Sequence, residues 1–600
     1  MCGIAGIYSK NGRQVDLDEL TRMRDRMANR GPDSKKNWIN QDGFVGLAHR
    51  RLAIIETSDL GMQPMHDCNG NAIVFNGEIY NFKELREELK LHNKHFRTDS
   101  DTEVLLHMYS VFGELMLEKL RGMFAFAIYD VSKGSLFLAR DPLGIKPLYY
   151  SESHSGFKFA SQVNALLAAE CIDSSKSPAG HVGFLLMGYI PDPFTFYRGI
   201  NSLSAGHCMV VQKNNKTSIK KYFDMRDLII FSESEENSFY GSREAGIKKI
   251  VNALKSSVKA HITADVPVGV FLSSGIDSTA IAVCVNDIAD LRTITISFEE
   301  FKGSVNDEAP LAEFIAARLN SCHQTKRVYS SEFSQERDNI LAAMDQPSTD
   351  GVNTWFAARA AIQENLKVML SGLGGDEILG SYPSFRDVPR IVRYCNLFAW
   401  QPILGRYLRI LLSPLIAYIS SPKYAGIMEY GSTYGGAYFL RRALFMPWEL
   451  TKFLGTSFIR DGLRQLDIVN TFNASIAGIK SSRLKVSALE IQWYMKNQLL
   501  RDSDWASMDH SLELRTPLVD VYFIKECLPV LIKYPDIKKS EIIMSIDPLI
   551  GANLINNPKT GFSTPIKEWL IKTDKNLKNQ KHSSKDWARK IYEKFIHKAN

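Results

Sequence analysis

The sequence predicts two domains: an α+β domain built on antiparallel strands, followed by an α/β domain built on a parallel sheet. Short apolar runs alternate with turn residues up to about residue 215, which is the pattern of a hairpin-rich sheet. A polar stretch follows at Ser232–Glu244, and after it the pattern becomes strand, loop and helix, as in a parallel sheet covered by helices. We therefore expect a first domain at residues 2–215, a linker at 216–245 and a second domain at 246–600.

Local signals mark the elements of the first domain. Strands are predicted at AIVFNGEIYN, MFAFAIYD, SLFLARD, PLYY and FKFAS, where apolar runs end at turn residues. Helices are predicted to begin at Asn81 and at Ser100. Each of these residues is followed three positions later by a glutamate, Glu84 or Glu103, in the pattern of a capping box.

Composition and charge exclude several classes of protein. The 600 residues are 45% hydrophobic and 23% charged, as in ordinary globular proteins. The formal net charge is +7, but residues 571–600 hold nine Lys or Arg against three Asp or Glu, which leaves the rest close to neutral. A basic groove is therefore not predicted, and a nucleic acid is not expected as a partner. Within the basic end, Trp587, Ile591 and Phe595 recur at helical spacing and predict a docked amphipathic helix.

Cysteine usage and hydropathy indicate the compartment. The eight cysteines form no CxxC pair and have no regular spacing, which favours reduced thiols and a cytoplasmic location. The apolar run that starts at Ile4 is too short for a signal peptide. The apolar stretch at 397–420 is interrupted by Pro402, Arg406 and Pro414, so no membrane partner is expected.

A cysteine stands at position 2, directly after the initiator methionine. Removal of Met1, which a small second residue permits, would leave Cys2 with a thiol and a free α-amine of pKa about 7.7 to 8.0. Nucleophile and base would then belong to one residue, as in enzymes with an N-terminal nucleophile. A buried, inert cysteine is the alternative that this residue alone leaves open.

Other side chains of the first domain complement a thiol that attacks an amide. Asn76 and Gly77 offer a side-chain amide and an unshielded backbone N–H for an oxyanion. An amino-acid substrate also needs a cation for its carboxylate and acidic groups for its amine. Arg51 could supply the cation, and Glu78 and Asp101 the acids, although each alone could be a surface charge.

The first domain resembles the glutaminase domain of class II glutamine amidotransferases in seven ordered segments: CGIAGIY, RGPD, AHRRLAI, FNGEIYN, SDTEVLLH, GMFAFAIYD and ARDPLGIKPLYY. The resemblance covers residues 2 to about 206 and implies an N-terminal nucleophile fold with αββα layers. It implies that Cys2 is the nucleophile and that Asn76 and Gly77 form the oxyanion hole, with ammonia and glutamate as products. It further implies that glutamine is bound by Asn76 and by three charged residues, Arg51 at its α-carboxylate and Glu78 and Asp101 at its α-amine.

The second domain carries a Ser/Gly loop between a strand and a helix, FLSSGIDSTAIAV, whose first helical amides could cradle a phosphate. A plain turn with Ser278 as its cap fits the same residues. A second loop of this kind, SGLGGDE at Ser371–Glu377, follows another apolar strand. Gly-rich loops at two strand ends are where an α/β sheet binds its ligand.

The loop SSGIDS resembles the pyrophosphate loop SGGxDS of enzymes that split ATP between its α- and β-phosphates, with Ser274 in place of the first glycine. Together with the first domain, it makes the chain resemble the asparagine synthetase (glutamine-hydrolysing) family. Four further blocks extend the resemblance toward the end of the chain: NDEAPLAEFIAARL, DQPSTD, LLRDSDWASMDHSLELRTPLVD and KTGFSTPIKEW. A Rossmann-like, PP-loop synthetase domain is implied.

The same resemblance implies an ATP site, Mg²⁺ as cofactor and a catalytic lysine. The expected ATP-binding residues are Leu272, Ser273, Ser274, Gly275, Asp277, Ser278, Ile296, Ser371 and Gly372. Asp277 and Asp376 are expected to hold the metal. Lys559 is expected to stabilise the charge that develops as pyrophosphate leaves or ammonia attacks.

The implied reaction joins the two domains. A carboxylate attacks the α-phosphorus of ATP to form an acyl-adenylate, and ammonia released at Cys2 then displaces AMP. Passage of ammonia inside the protein would keep it close to an adenylate that water would otherwise hydrolyse. The expected partners are therefore glutamine, ATP and a carboxylate acceptor, and a homodimer is a candidate assembly because relatives are often dimers.

Two positions depart from asparagine-forming members of the family. Leu373 stands where they commonly have the glutamate of SGEGSDE, and Gln346 stands where they often have the glutamate of DEP. Leu373 is therefore assigned to the acceptor site, and three hypotheses stay open. L-aspartate, giving L-asparagine, is the favoured acceptor. A sugar uronic acid of surface-polysaccharide synthesis is the alternative, and a non-catalytic relative is the third.

Overall fold

The computed structural model describes residues 2–10, 12–213, 216–396, 421–556, 564–573 and 583–599, together with positions 405, 407, 409 and 410. Predicted Lys559 lies outside the described residues, and so does almost all of the stretch 397–420. None of the helices among the described residues is long and apolar enough to cross a membrane.

The described part of the first domain contains two six-stranded antiparallel sheets. Their strands are β1 (Gly3–Ser9), β2 (Ser34–Ile39), β3 (Val45–Arg51), β4 (Met65–His66), β5 (Ala72–Ile79), β6 (Gly122–Asp130), β7 (Ser135–Arg140), β8 (Tyr149–Ser153), β9 (Gly156–Ala160), β10 (Asn201–Ser202), β11 (His207–Val211) and β12 (Thr217–Lys221). One sheet has the order β10, β8, β9, β1, β3, β2, and the other has the order β12, β11, β7, β6, β5, β4.

Helices cover the outer faces of the two stacked sheets. They are α1 (Leu17–Asp25), α2 (Phe82–Leu91), α3 (Asp101–Phe112), α4 (Val163–Leu166) and α5 (Pro178–Met187). Ile4 and Leu47 of one sheet pack against Val74 of the other in a core between the sheets. The opposite face of the second sheet packs on α2 and α3. The αββα arrangement is thereby confirmed, and it follows from strands whose two faces are both apolar.

Both predicted capping boxes are wrong, although α2 and α3 begin at the predicted residues. The Ser100 hydroxyl accepts the Thr102 backbone N–H at 3.1 Å. Glu103, however, accepts backbone N–H groups of the preceding loop, from Arg97 and Thr98, and not that of Ser100. Asn81 likewise uses its side chain to accept the Arg121 backbone N–H. In both helices, a side chain that a capping box would use instead accepts backbone N–H groups from outside the helix.

The segment predicted as a linker contains regular structure. Strand β12 pairs with β11 in the second sheet, and helix α6 (Met225–Ser232) follows it. Helix α7 (Arg243–His261) begins shortly afterwards, and its N-cap is the hydroxyl of Ser242. The chain therefore passes from the first domain to the second through packed elements.

The second domain contains a parallel sheet with strands β13 (Val268–Phe271), β14 (Arg292–Phe298), β15 (Cys322–Val328), β16 (Val368–Leu370) and β17 (Glu513–Arg515). Their order is β15, β14, β13, β16, β17. From β13, the next strand in the chain lies on one side and β16 lies on the other. The carboxyl ends of β13 and β16 therefore flank a topological switch point, where α/β sheets bind ligands.

Helices surround this sheet, with a large group between β16 and β17. They are α8 (Ile276–Asn286), α9 (Ala309–Arg318), α10 (Ser330–Ala343), α11 (Val352–Gln363), α12 (Gly375–Leu379), α13 (Ser384–Cys395), α14 (Ile427–Tyr430), α15 (Tyr434–Arg442), α16 (Thr456–Leu466), α17 (Ile468–Ala474), α18 (Ser482–Leu489), α19 (Arg501–Met508), α20 (Val521–Lys533), α21 (Lys539–Ile546), α22 (Pro548–Asn556), α23 (Ile566–Thr573) and α24 (Ser583–Ala599). Residues Glu490–Leu500 join α18 to α19 as a π-helix. Trp587, Ile591 and Phe595 of α24 are buried, which confirms the predicted docked helix.

Candidate active sites

Cys2 lies directly before β1, in the middle of the first sheet, and is 8% exposed. Its backbone nitrogen donates to the side-chain oxygen of Asn76, on β5 of the second sheet, at 3.0 Å. Burial raises the pKa of the Cys2 thiol, against the opposing effect of the nearby Arg51 guanidinium. A base next to the sulfur would therefore assist formation of the thiolate. The nitrogen that would become the α-amine after removal of Met1 lies within the same residue.

Asn76 and Gly77 present donors beside this cysteine. The side-chain oxygen of Asn76 is used by Cys2, while its buried Nδ2 has no hydrogen-bond partner among the described residues. Such a group is rare inside proteins and often belongs to a binding site. Gly77 has φ +154°, and a Cβ there would lie 2.0 Å from the Met123 carbonyl oxygen. Glycine is therefore required where β5 passes β6.

The Arg51 guanidinium is 6% exposed and is held by the loop that follows β3. It donates to the Ser58 carbonyl at 2.7 Å, to the Ile55 carbonyl at 3.4 Å and to the Glu56 carbonyl. Three backbone contacts fix the orientation of this cation near Cys2. A preorganised guanidinium can bind a carboxylate without a large loss of side-chain entropy.

Glu78 and Asp101 are both buried, and both have raised pKa values. Burial raises the pKa of Asp101 to about 6, although its carboxylate accepts the Ile79 backbone N–H at 3.0 Å. Burial and the Glu513 carboxylate raise the pKa of Glu78 well above its usual range. Glu78 Oε2 lies 3.5 Å from the Arg515 guanidinium of β17, and it has no hydrogen-bond partner among the described residues. A substrate ammonium would supply that partner.

A second site lies at the switch point of the parallel sheet. A cavity of 410 Å³ is lined there by residues of both predicted loops and of the neighbouring strands. The predicted residues on its wall are Leu272, Ser273, Gly275, Asp277, Ser278, Ile296, Ser371, Gly372, Leu373 and Asp376. Ser274 lies in the same loop. A Cβ on Gly372 would come within 2.8 Å of the Ser278 backbone nitrogen, so glycine lets the two loops pack closely.

The first of these loops is held by hydrogen bonds of its own. The Ser278 hydroxyl accepts the Ser273 backbone N–H at 3.1 Å and donates to the Gly275 carbonyl at 3.1 Å. The Ser273 hydroxyl in turn accepts the Gly275 backbone N–H. The loop leads straight into α8, whose N-terminal amides point toward the cavity end of the helix. This is a preformed geometry for an anionic group.

Asp277 and Asp376 converge on one cation, the ammonium group of Lys539 at the start of α21. Lys539 Nζ donates to Asp376 Oδ1 at 2.5 Å and to Asp277 Oδ2. Lys539 is buried, and the two carboxylates outweigh the effect of burial and raise its pKa. Two carboxylates that already share a cation fit Mg²⁺, which prefers hard oxygen ligands. Sequence reasoning missed Lys539 because no local motif surrounds it.

Two further acids on the cavity wall were also missed. Burial raises the pKa of Asp350, and it raises the pKa of Asp502 to about 7. Asp502 accepts a hydrogen bond from the Ser348 hydroxyl at 2.5 Å and another from the Trp505 indole. Both acids lie inside segments that carry the family resemblance, DQPSTD and LLRDSDWAS. Their place within those segments was therefore the sequence signal that could have marked them as site residues.

Family models match almost the whole chain. The model described as a glutamine amidotransferase domain matches residues 1–223, and the model described as asparagine synthase matches residues 249–599. A protein of Bacillus subtilis (strain 168) named asparagine synthetase [glutamine-hydrolyzing] 1 is 29% identical over 617 residues, covering 100% of this chain and 92% of its own. A protein of Mycobacterium tuberculosis (strain H37Rv) named putative asparagine synthetase [glutamine-hydrolyzing] is 31% identical over 605 residues, covering 95% and 88%.

Solved structures also show similarity to the chain. The glutamine phosphoribosylpyrophosphate amidotransferase of B. subtilis, complexed with ADP and GMP, has a TM-score of 0.28 and 15% identity. The match covers 54% of this chain and 81% of that one.

Proposed function

The chain belongs to the asparagine synthase family and carries a glutamine amidotransferase domain ahead of the synthase domain, and we propose that it moves the amide nitrogen of glutamine onto a carboxylate activated by ATP. It is a glutamine-hydrolysing amidotransferase of the asparagine synthetase type. The observation that most directly supports the complete reaction is the 410 Å³ cavity, because two Gly-rich loops and two acids meet there at a switch point.

In the first half-reaction, the Cys2 thiolate attacks the side-chain amide carbon of glutamine, and the α-amine of Cys2 accepts and returns the proton. Asn76 Nδ2 and the Gly77 backbone N–H would stabilise the oxyanion of the tetrahedral intermediate. Ammonia leaves, and water releases glutamate from the thioester. Arg51 would bind the α-carboxylate of glutamine, while Glu78 and Asp101 would bind its α-amine.

Asn76→Ala is expected to lower the glutaminase kcat by about 10²- to 10³-fold, because one oxyanion donor is lost. Glutamate release from glutamine measures this step. Asn71→Ala, which removes an asparagine just before β5, is the matched control and should keep the wild-type rate. A wild-type kcat in Asn76→Ala would contradict the assignment of Asn76.

In the second half-reaction, a carboxylate oxygen attacks the α-phosphorus of ATP, and the bond to the β-phosphate oxygen breaks to release pyrophosphate. The loop of Ser273, Gly275 and Ser278 would hold the departing phosphates, and Asp277 and Asp376 would hold Mg²⁺, which neutralises phosphate charge when bound. Ammonia then attacks the acyl carbon, and AMP leaves. We assign Lys559 and Lys539 to the stabilisation of negative charge during these steps.

L-aspartate is the acceptor we propose, with L-asparagine, AMP and pyrophosphate as products. A specific observation favours a second candidate. Leu373 lies on the cavity wall, so this wall has an apolar side chain where asparagine-forming relatives commonly have a carboxylate. A different carboxylate, such as a sugar uronic acid, would suit a pocket that does not need this acid.

Pyrophosphate release tests the choice of acceptor. With ATP, Mg²⁺ and glutamine present, we expect pyrophosphate release to require an acceptor. We expect it to be fastest with L-aspartate in a panel that also holds nucleotide-linked uronic acids. L-asparagine should accumulate in equal amount. Leu373→Glu should then change KM for L-aspartate by less than about tenfold, which corresponds to a weak contact.

The same panel contains the contradicting outcomes. Release only with a sugar acid would exclude L-aspartate and establish the alternative acceptor. If none of the carboxylates in the panel supports pyrophosphate release, the hypothesis of a non-catalytic relative remains. There are two controls. One omits the acceptor, and the other replaces glutamine with ammonium chloride.

A further inference from the structure

Residues 345–350 lie between α10 and α11 of the second domain and contact the first domain. The Asp345 carboxylate accepts the backbone N–H of Val163 at 2.7 Å and that of Asn164 at 2.8 Å. Both amides belong to α4 of the first domain, and Asp345 is 8% exposed. Two short bonds from a buried carboxylate to main-chain amides are strong, charge-assisted contacts. We call residues 345–350 the interdomain strut.

The next residue of the strut strengthens the contact. Gln346 Oε1 accepts the Phe196 backbone N–H at 3.1 Å, and its amide nitrogen donates to the Tyr149 hydroxyl at 3.3 Å. Both partners belong to the first domain, and Gln346 is buried. The amide of Gln346 can satisfy one donor and one acceptor at once, which a glutamate at this position cannot do in its ionised form.

The amides bound by Asp345 are close in the chain to the residue that positions the nucleophile. Ser161, two residues before Val163, is buried and forms two hydrogen bonds with Ile4 of β1. The Ile4 N–H donates to the Ser161 hydroxyl at 3.1 Å, and the Ser161 N–H donates to the Ile4 carbonyl at 2.9 Å. Ile4 is only two residues from Cys2. A carboxylate of the second domain therefore holds the turn that holds the start of β1.

The other end of the strut forms part of the ATP cavity. The buried Ser348 hydroxyl donates to Asp502 at 2.5 Å, and Asp350, Gly351 and Asp502 line the cavity. A single six-residue segment therefore contacts the support of Cys2 at one end and the wall of the second site at the other.

A second connection joins the same two places. The Arg30 side chain donates to the Cys2 carbonyl at 3.0 Å and binds Asp504 with both terminal nitrogens, at 2.7 and 3.1 Å. Asp504 is two residues beyond Asp502 on α19. Arg30 and Asp504 are both buried. Because α19 and the strut both reach the cavity wall, the segment that carries Cys2 is fixed from the second domain at two points.

We propose that Asp345 is a positioning residue for Cys2, acting across the domain interface through the Val163 and Asn164 amides and Ser161. This inference rests on the proposed function, because it assumes that Cys2 attacks glutamine. Thiol attack needs the sulfur close to its productive position, and a misplacement of about 1 Å can lower the rate by about 10²-fold. Asp345 does not line the 410 Å³ cavity, and its carboxylate binds the Val163 and Asn164 amides, so its removal would act through the position of β1.

The test compares two reactions of the full chain. Asp345→Ala is expected to lower the glutaminase kcat by about 10- to 100-fold, with KM for glutamine changed by less than about threefold. Pyrophosphate release with ATP, Mg²⁺, L-aspartate and ammonium chloride, which bypasses Cys2, should stay within about twofold of wild type. Asp345→Asn keeps an acceptor oxygen for one of the two amides, so an intermediate loss is expected.

The control is Asp224→Ala. Asp224 caps α6 by accepting the Arg226 N–H at 2.8 Å, so its loss also removes a helix-capping carboxylate, but one whose side-chain hydrogen bonds, with Lys221 and Arg226, are local. Asp224→Ala should leave both rates unchanged. Equal loss of both reactions in the Asp345 variants, or a wild-type glutaminase kcat in them, would overturn the inference.

The outcome is separable from failure of the proposed function. If the wild-type chain releases no glutamate from glutamine, the proposed function fails regardless of Asp345. If the wild-type chain is active and Asp345→Ala loses only the ammonia-dependent reaction, the inference fails and the function stands. Should Asp345→Ala not fold, Asp345→Asn decides the question by the same two rates.

Discussion

Cys2→Ala is expected to abolish the reaction that uses glutamine while leaving the reaction that uses ammonium chloride close to the wild-type rate. In the proposed mechanism the thiol of Cys2 is the nucleophile and its α-amine is the base, so alanine would remove the attacking atom. We expect the rate of glutamate release to fall by more than about 10³-fold, which corresponds to about 4 kcal/mol of transition-state stabilisation. Glutamate and pyrophosphate, measured in parallel with each nitrogen source, give the comparison.

Cys208→Ala is the matched control for this prediction. Cys208 is also a buried thiol of the first domain, and burial raises its pKa to about 11, so it is expected to be unreactive. Loss of a thiol that only packs should leave both reactions unchanged. Glutamate release at more than about a tenth of the wild-type rate in Cys2→Ala would exclude the thiol as nucleophile.

Asp376→Asn is expected to have the opposite effect to Cys2→Ala: it should impair pyrophosphate release and spare glutamate release. Pyrophosphate release should fall by more than about 10³-fold with either nitrogen source, because one carboxylate of the proposed metal pair loses its charge. Glutamate release from glutamine should persist, since Asp376 lies in the second domain, in the first turn of α12. Asp277→Asn should behave in the same way. Calorimetric binding of ATP with and without Mg²⁺ measures the loss independently of turnover.

The control for the acid pair is Asp461→Asn, a charge removed from the partly exposed face of α16, where Asp461 pairs only loosely with Arg464 at 3.5 Å. This variant should bind ATP and release pyrophosphate like wild type. If Asp376→Asn released pyrophosphate at the wild-type rate, the pair Asp277 and Asp376 would have no part in activation of the carboxylate. Tight Mg²⁺-dependent ATP binding by a variant that carries both Asp277→Asn and Asp376→Asn would lead to the same conclusion.

Several features of both sites were predictable because their residues are neighbours in the chain. SSGIDS contains a strand end, a loop and a helix start, so its residues reach one cavity wall through local geometry alone. FNGEIYN places Asn76, Gly77 and Glu78 in succession on one strand in the same way. The alternation of apolar runs also predicted which strands form antiparallel sheets, and the structure has those strands.

Capping was less predictable than strand position. Ser100 and Glu103 have the spacing of a capping box, yet Glu103 binds the amides of the loop before the helix. The spacing specifies which groups can meet, but not which of several competing amides lies closer. That choice depends on the path of the chain outside the helix.

By itself, the sequence determined the two-domain architecture, the cysteine at position 2 and the two Gly-rich loops, because each is written in spacing and residue type over short stretches. Only the tertiary structure decided which charges meet. Lys539 reaches Asp277 across 262 residues of chain, and Asp345 reaches the Val163 amide across 182. A buried charge has many candidate partners of opposite sign along 600 residues, and its partner is selected by how sheets and helices pack, for which no local spacing exists.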